Sequence, residues 1–240
     1  MKKQMLYREL AKYYESIYYL KDYKAEAYKI RKLILRYKKS LGKELLDVAC
    51  GTGSHIVFLQ KYFSCTGIDI SKDMLKIAKK NVKKSDFRLG SMINFSLNKK
   101  FDVILCLFSS IGYVKTYSNL RKTINNFSRH LKKGGIVIIE PWFSMTEFKP
   151  GKPWMAAYDG KNIKIARLNV SKVKSNISIL DLHYLVAENF KEVKYFRDRH
   201  ELGMFGLHET LDIMKDAGLR AKFLPSGLMK ERGLYIGIKK

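Results

Sequence analysis

A chain of 240 residues with 47 basic and 22 acidic side chains carries a formal net charge of +25. Its 46% hydrophobic and 12% aromatic content is that of a folded protein rather than a disordered one. No apolar run nears the roughly 18 residues that cross a bilayer, and the charged opening MKKQMLYREL has no signal core, so the chain reads as neither membrane-spanning nor secreted and a cytoplasmic location is expected.

The surplus of cations raises the question of nucleic acid. The cations are mostly lysines spread along the whole chain, without an arginine-rich tail or a recognition helix, so a nucleic-acid partner is not expected. The three cysteines, Cys50, Cys65 and Cys106, form no CxxC pair and lie near no histidine at zinc spacing, so they read as reduced core thiols and no metal site is expected.

In chain order, residues 4–18 place apolar and aromatic side chains at helical spacing, and residues 22–38 read as a second amphipathic helix. A buried strand follows at 43–49 with Asp47 inside it. Next come a helix at 53–63, a strand at 65–70 and a helix at 71–82 capped by Ser71. A short strand at 87–90 and a buried strand at 101–109 precede a helix at 118–131, stopped by Gly134–Gly135, and a strand at 136–142. Strand and helix alternate, as in a parallel sheet covered on both faces.

After Pro141 the rhythm changes. Residues 161–173, 176–188 and 191–205 read as three strands of an antiparallel meander. A helix at 207–218 ends on Gly218, and strands at 220–225 and 233–240 close the sheet. Three regions result. Residues 1–140 hold the N-terminal helices and the cofactor-binding half of an α/β sheet, 141–205 form an antiparallel insertion, and 206–240 supply the last helix and strands. The insertion is expected over the carboxyl edge of the sheet, where such folds bind ligands.

The segment LLDVACGTGSH, from Leu45 to His55, puts Gly51 and Gly53 between a strand and a helix. Glycine there allows positive φ and a close approach of backbone to ligand. Asp69 ends the next strand, where a carboxylate can accept both hydroxyl protons of a ribose. This layout serves both NAD and S-adenosylmethionine (SAM). The third glycine of GxGxxG is missing, and Asp47 lies four residues before Gly51; both point to SAM.

These residues, with FSSIGY, HLKKGGIVIIEPW, LHYLVA and RGLYIG, resemble the SAM-dependent N,N-dimethyltransferases of TDP-amino-deoxysugars, the desosamine and mycaminose type, along nearly the whole chain. The resemblance implies a Rossmann-like class I methyltransferase sheet, with the antiparallel insertion covering the active site and forming the sugar-nucleotide pocket. It implies that Tyr14 and Lys21 approach the methionine carboxylate. Ala49, Gly51 and Gly53 would line the methionyl and ribose region, Asp69 and Ile70 would hold the ribose, and Ser91 and Met92 would sit by the adenine. Leu107 would pack near the cofactor, and Trp142, Arg167 and Arg232 would face the nucleotide-sugar. Where the family's FSSIGH ends in histidine beside the reacting amine, this chain has Tyr113.

Methyl transfer from a sulfonium needs a positioned, neutral amine. Tyr113, with an ordinary phenol pKa of about 10, is a poor base and a good hydrogen-bond partner for that amine. His183, in the inserted sheet, is the better base by intrinsic pKa. Arg167 and Arg232 suit a diphosphate through forked hydrogen bonds. The expected activity is therefore N-methylation of a nucleotide-linked amino sugar. Another small amine or hydroxyl remains an alternative acceptor, as more remotely does RNA, and a homodimer is left open.

Overall fold

The computed structural model describes residues 4–229 and 231–240. Its centre is a seven-stranded sheet built from β1 (Glu44–Val48), β2 (Ser64–Asp69), β3 (Asp86–Leu89), β4 (Phe101–Cys106), β5 (Leu131–Ile139), β10 (Leu219–Leu224) and β11 (Leu234–Lys239). They lie in the order β10-β11-β5-β4-β1-β2-β3. Only β11 runs against its neighbours β5 and β10. The order reverses between β1 and β4, the switch point at which open α/β sheets hold ligands.

Alternation along the central strands sends side chains to two cores. Val103 and Leu105 join Leu45, Ile136 and Ile236 under α2 (Tyr23–Tyr37), α3 (Ser54–Leu59) and α4 (Lys72–Asn81). Ile104 and Cys106 join Leu46, Val137 and Tyr235 under α5 (Tyr117–His130) and α6 (Leu207–Asp216). The sheet is thus apolar on both faces, as near-continuous hydrophobic strands require. No helix among the described residues is long and apolar enough to cross a membrane.

Three elements differ from the sequence expectation. Residues 4–18 do not form one helix. Two 3₁₀ turns, Met5–Tyr7 and Ala11–Tyr13, lead into a single-turn α1 (Tyr14–Ile17). The Leu6 N–H leaves the local ladder and donates to Asp198 Oδ2 at 2.7 Å, while Leu6, Leu10, Tyr13 and Tyr14 bury themselves against the insertion and Met74 of α4. Tertiary burial overrides helical spacing here.

The insertion has four strands, β6 (Pro153–Asp159), β7 (Ile163–Lys174), β8 (Ile177–Glu188) and β9 (Lys194–Gly203), paired antiparallel in that order. The extra strand, β6, opens on a proline and is mostly exposed at the sheet edge, where proline is tolerated and the alternation signal is weak. The glycine pair expected to stop α5 instead lies within β5. There Gly134 adopts φ +75°, and its carbonyl accepts from the N–H groups of Lys39 and Ser40, which leaves no room for a side chain.

Candidate active site

The turn after β1 is left-handed at three positions: Ala49 (φ +59°), Gly51 (φ +55°) and Gly53 (φ +75°). At Gly51 the only close neighbour of an added Cβ among the described residues would be the end of Met74, so backbone conformation rather than crowding requires glycine. Gly53 packs against Ala78, Val82 and Phe87 and so seats the start of α3 on α4 and β3. The turn is tied to β2 by Asp69. Its Oδ2 accepts the Gly51 N–H at 2.9 Å and its Oδ1 the Ser71 N–H at 2.8 Å. Burial pushes the Asp69 carboxyl up, opposed by these amides. Each oxygen keeps acceptor capacity for a further donor, so the residues present fit a ribose diol.

Ile70 is exposed beside Asp69, and Ser91 and Met92 are half-buried in the segment leaving β3. Met92 rests on the second core and Leu107 is buried in the first. Lys21 pairs with Glu26 and lies 4.3 Å above the Phe108 ring. Glu26 Oε2 in turn meets His55 Nε2 at 2.7 Å. Glu26, which joins Lys21 to His55, is not legible in the sequence as a candidate, because it sits on α2 with the ordinary look of a helix-surface acid.

Asp47 lies inside β1, and burial pushes its pKa up to about 7, with His55 opposing the rise and Asp69 adding to it. A carboxyl raised above its unfolded value of about 3.9 favours the fold while protonated. That contribution is complete below about pH 4 and is lost as pH rises through about 7. The urea midpoint of the cofactor-free protein is therefore expected to fall between about pH 5 and 7.5, and less so for Asp47→Asn. Parallel falls in the two proteins would contradict this assignment.

The chain leaves β4 through two consecutive left-handed residues, Phe108 (φ +51°) and Ser109 (φ +60°). Such a conformation costs about 1–2 kcal/mol per non-glycine residue. It is held by Glu140, whose Oε2 accepts the Phe108 N–H at 2.7 Å, and by Ser109 Oγ, which donates to Pro141 O at 2.6 Å. FSSIG and EPW are thus one structural unit at the sheet's carboxyl edge.

Substrate-side groups converge on this unit. Arg232 Nη1 donates to Ser109 Oγ at 2.9 Å, and its guanidinium lies 4.6 Å from the Trp142 ring and 4.7 Å from Phe143. Trp142 is fixed by Ser178 Oγ at 2.8 Å. From β7, Arg167 donates to the Tyr18 hydroxyl at 3.1 Å and lies 4.6 Å from Trp154. Tyr18 packs edge-on against Phe108 at 5.0 Å and also meets Tyr14, with ring centroids 4.8 Å apart. Arg167 Nε, Arg232 Nε and the Tyr184 hydroxyl are buried without a partner, and neither guanidinium meets a carboxylate among the described residues.

The two expected acid–base residues part company. Tyr113 lies half-buried just after the Phe108–Ser109 turn, with its hydroxyl 2.8 Å from that of Tyr7 and 2.5 Å from His200 Nδ1. His183 alternates with Leu182 and Tyr184, which are buried on the inner face of β8, and so lies on the other face, bonded to Tyr195 at 2.6 Å. The structure does not bring it to Tyr113. The histidine beside Tyr113 is His200 of β9, for which RDRHEL offered one signal: Asp198, His200 and Leu202 share a face and are buried.

A sheet parallel but for β11, with a left-handed glycine turn after its first strand and a buried aspartate after its second, suits NAD as well as SAM. The relatives of this chain decide for a class I methyltransferase that uses SAM. A family model described as "Methyltransferase domain" matches residues 45–135. The dTDP-3-amino-3,4,6-trideoxy-alpha-D-glucopyranose N,N-dimethyltransferase of Streptomyces venezuelae is 37% identical over 223 residues, covering 91% of this chain and 92% of the relative. The crystal structure of Streptomyces venezuelae DesVI superposes with a TM-score of 0.90 at 34% identity, covering 96% of this chain and 98% of that one. SAM-bound CalS10, an amino pentose methyltransferase from Micromonospora echinaspora, gives 0.83 at 25% identity with 92% of each chain covered. The chain belongs to the SAM-dependent methyltransferase family of these amino-sugar N,N-dimethyltransferases.

Proposed function

We propose that this enzyme transfers methyl groups from SAM to the amine of a nucleotide-linked amino-deoxysugar, twice per sugar as the names of its relatives state for them. The observation that carries the reading is the pair of half-buried guanidiniums, Arg232 on the Phe108–Ser109 turn and Arg167 reaching it through Tyr18, each with a buried, unpartnered Nε atom. A buried cation without a carboxylate is costly unless a ligand supplies the anion, and a diphosphate matches the arginine fork.

SAM supplies an electrophilic methyl group when bound. Asp69 accepts from the ribose hydroxyls, with Gly51 and Ala49 shaping the turn beneath. Arg167 and Arg232 hold the diphosphate, and Trp142, Phe143 and Trp154 flank their planes. Tyr7, Tyr14 and Tyr18 exclude water from the reacting centre, and Tyr113 orients the amine. Within this reading the dispersed lysines coat the surface of an enzyme for an anionic small molecule and do not mark a nucleic-acid site.

Free dTDP is therefore expected to inhibit competitively against the amino-sugar substrate and not against SAM. Absence of inhibition by dTDP at millimolar concentration would contradict recognition through the diphosphate.

A further inference from the structure

One hydrogen-bonded line links three remote parts of the chain at the edge of the site. The Tyr7 hydroxyl lies 2.8 Å from that of Tyr113, the Tyr113 hydroxyl 2.5 Å from His200 Nδ1, and His200 Nε2 2.9 Å from Asp198 Oδ2. The same Asp198 oxygen accepts the Leu6 N–H at 2.7 Å. His200 and Asp198 are each 3% exposed, so their geometry is held by packing rather than shared with solvent.

The line has a direction. Burial alone would raise the Asp198 carboxyl, but His200 and the N–H groups of Leu6 and Met5 hold it below the ordinary value, so it is ionised and can only accept. His200 Nε2 must then donate. In neutral imidazole this leaves the lone pair on Nδ1, to which Tyr113 donates. Tyr7 in turn donates to the Tyr113 oxygen. That oxygen keeps one free lone pair, and Tyr113 is the member of the line that follows the Phe108–Ser109 turn at the sheet's carboxyl edge.

We propose that Tyr113, His200 and Asp198 form a one-proton acceptor for the substrate amine, with Tyr113 in contact with the amine and His200 and Asp198 as positioning residues behind it. This rests on the amino-sugar reading above. An N–H bond of the substrate ammonium breaks as an O–H bond forms on Tyr113. The tyrosine's own O–H breaks as an N–H forms at His200 Nδ1. The amine becomes neutral, the positive charge passes to the imidazolium, and Asp198 stays ionised beside it. Burial keeps the Tyr113 phenol well above its ordinary pKa, which suits a conduit that is never left as phenolate. After the product departs, the proton returns through Tyr113 to water.

The arrangement also matches what two successive methylations require. The first transfer to a neutral amine yields an ammonium, which must lose one proton before it can react again. A buried imidazole held by a carboxylate takes one.

The charged and titratable groups facing this line are Tyr7, Tyr14 and Tyr18 of the N-terminal segment and Asp69 behind Tyr7. Lys115 and Glu201, paired at 2.5 Å, flank it on the elements that carry Tyr113 and His200. Burial raises Tyr7 and Tyr14, and the hydrogen bond from Lys115 holds Glu201 low.

The test is the pH dependence of kcat/KM for a dTDP-linked amino sugar, with imidazole ¹⁵N shifts recorded on the free protein. If the relay accepts the proton, the wild type uses the ammonium form, and kcat/KM holds a plateau below the substrate's own pKa. His200→Gln can still hydrogen-bond to Tyr113 but cannot take its proton. Its kcat/KM should rise about tenfold per pH unit up to the amine's pKa, and at pH 7 it should lie at least about 10²-fold below wild type. Tyr113→Phe should give the same altered profile, so the test survives a folding failure of either variant. The ¹⁵N spectrum should show His200 protonated at Nε2 and accepting at Nδ1. Profiles of variant and wild type that run parallel, or a free-protein His200 carrying its proton on Nδ1, would overturn the relay. If the wild type methylates no amino sugar, the amino-sugar reading fails, and the relay's geometry is still judged by the ¹⁵N tautomer.

Discussion

Asp69→Ala is expected to weaken SAM binding by about 1.5–3 kcal/mol, the range for a hydrogen bond to a charged group, or roughly ten- to 150-fold in Kd. The carboxylate has two tasks. It offers its remaining lone pairs to the ribose, and it fixes the turn by accepting the N–H groups of Gly51 and Ser71. Alanine strands both donors and leaves the left-handed turn held to β2 chiefly by the Cys50 N–H bond to Ile68 O. Asp69→Asn separates the tasks. Its single carbonyl oxygen can satisfy one of the two amides, so its loss should be intermediate. Titration calorimetry on the three proteins reads the order directly, and an alanine variant that binds SAM like wild type would remove Asp69 from the cofactor site.

Arg232→Met is expected to move stability and function in opposite directions. The guanidinium is half-buried, has its pKa lowered by burial, and donates to Ser109 Oγ with its Nε unpartnered. Methionine fills similar space between Trp142 and Phe143 without a charge to desolvate, a gain set against the lost attraction between Glu140 and the guanidinium, and apolar replacement of a desolvated charge is often neutral or stabilising. The ligand-free Tm should therefore hold or rise. Loss of a charge-assisted bond to the diphosphate should raise KM for the nucleotide-sugar by roughly ten- to 150-fold, with less effect on the same sugar lacking the nucleotide. A fall in both Tm and affinity would make Arg232 a structural residue rather than a ligand-binding one.

The features legible in the sequence are those in which neighbouring residues act together. Gly51, Gly53 and Asp69 declare the cofactor turn because the left-handed backbone and its carboxylate partner sit at the ends of successive strands. FSSIG and EPW mark the substrate edge because β4 and β5 are adjacent and parallel. What stayed hidden depends on remote contacts. Tyr7 meets Tyr113, Tyr113 meets His200, and Leu6 meets Asp198 across 106, 87 and 192 positions. The shared face of Asp198, His200 and Leu202 groups those residues but does not say whether His200 or His183 meets the site, because a strand presents alternate residues to opposite faces and only the packing of β8 and β9 on the N-terminal segment decides. That segment misled in turn: its helical spacing is real, but its residues serve a wedge between the inserted sheet and α4.

The central claim is methyl transfer to an amino sugar recognised through its nucleotide. The most direct measurement incubates the enzyme with SAM and equal concentrations of a dTDP-linked amino-deoxysugar and the same amino sugar without nucleotide, and follows both acceptors by mass spectrometry. The account predicts that one and then two methyl groups appear on the nucleotide-linked sugar while the free sugar stays largely unmodified. Equal methylation of the two acceptors, or methylation of neither, would contradict it.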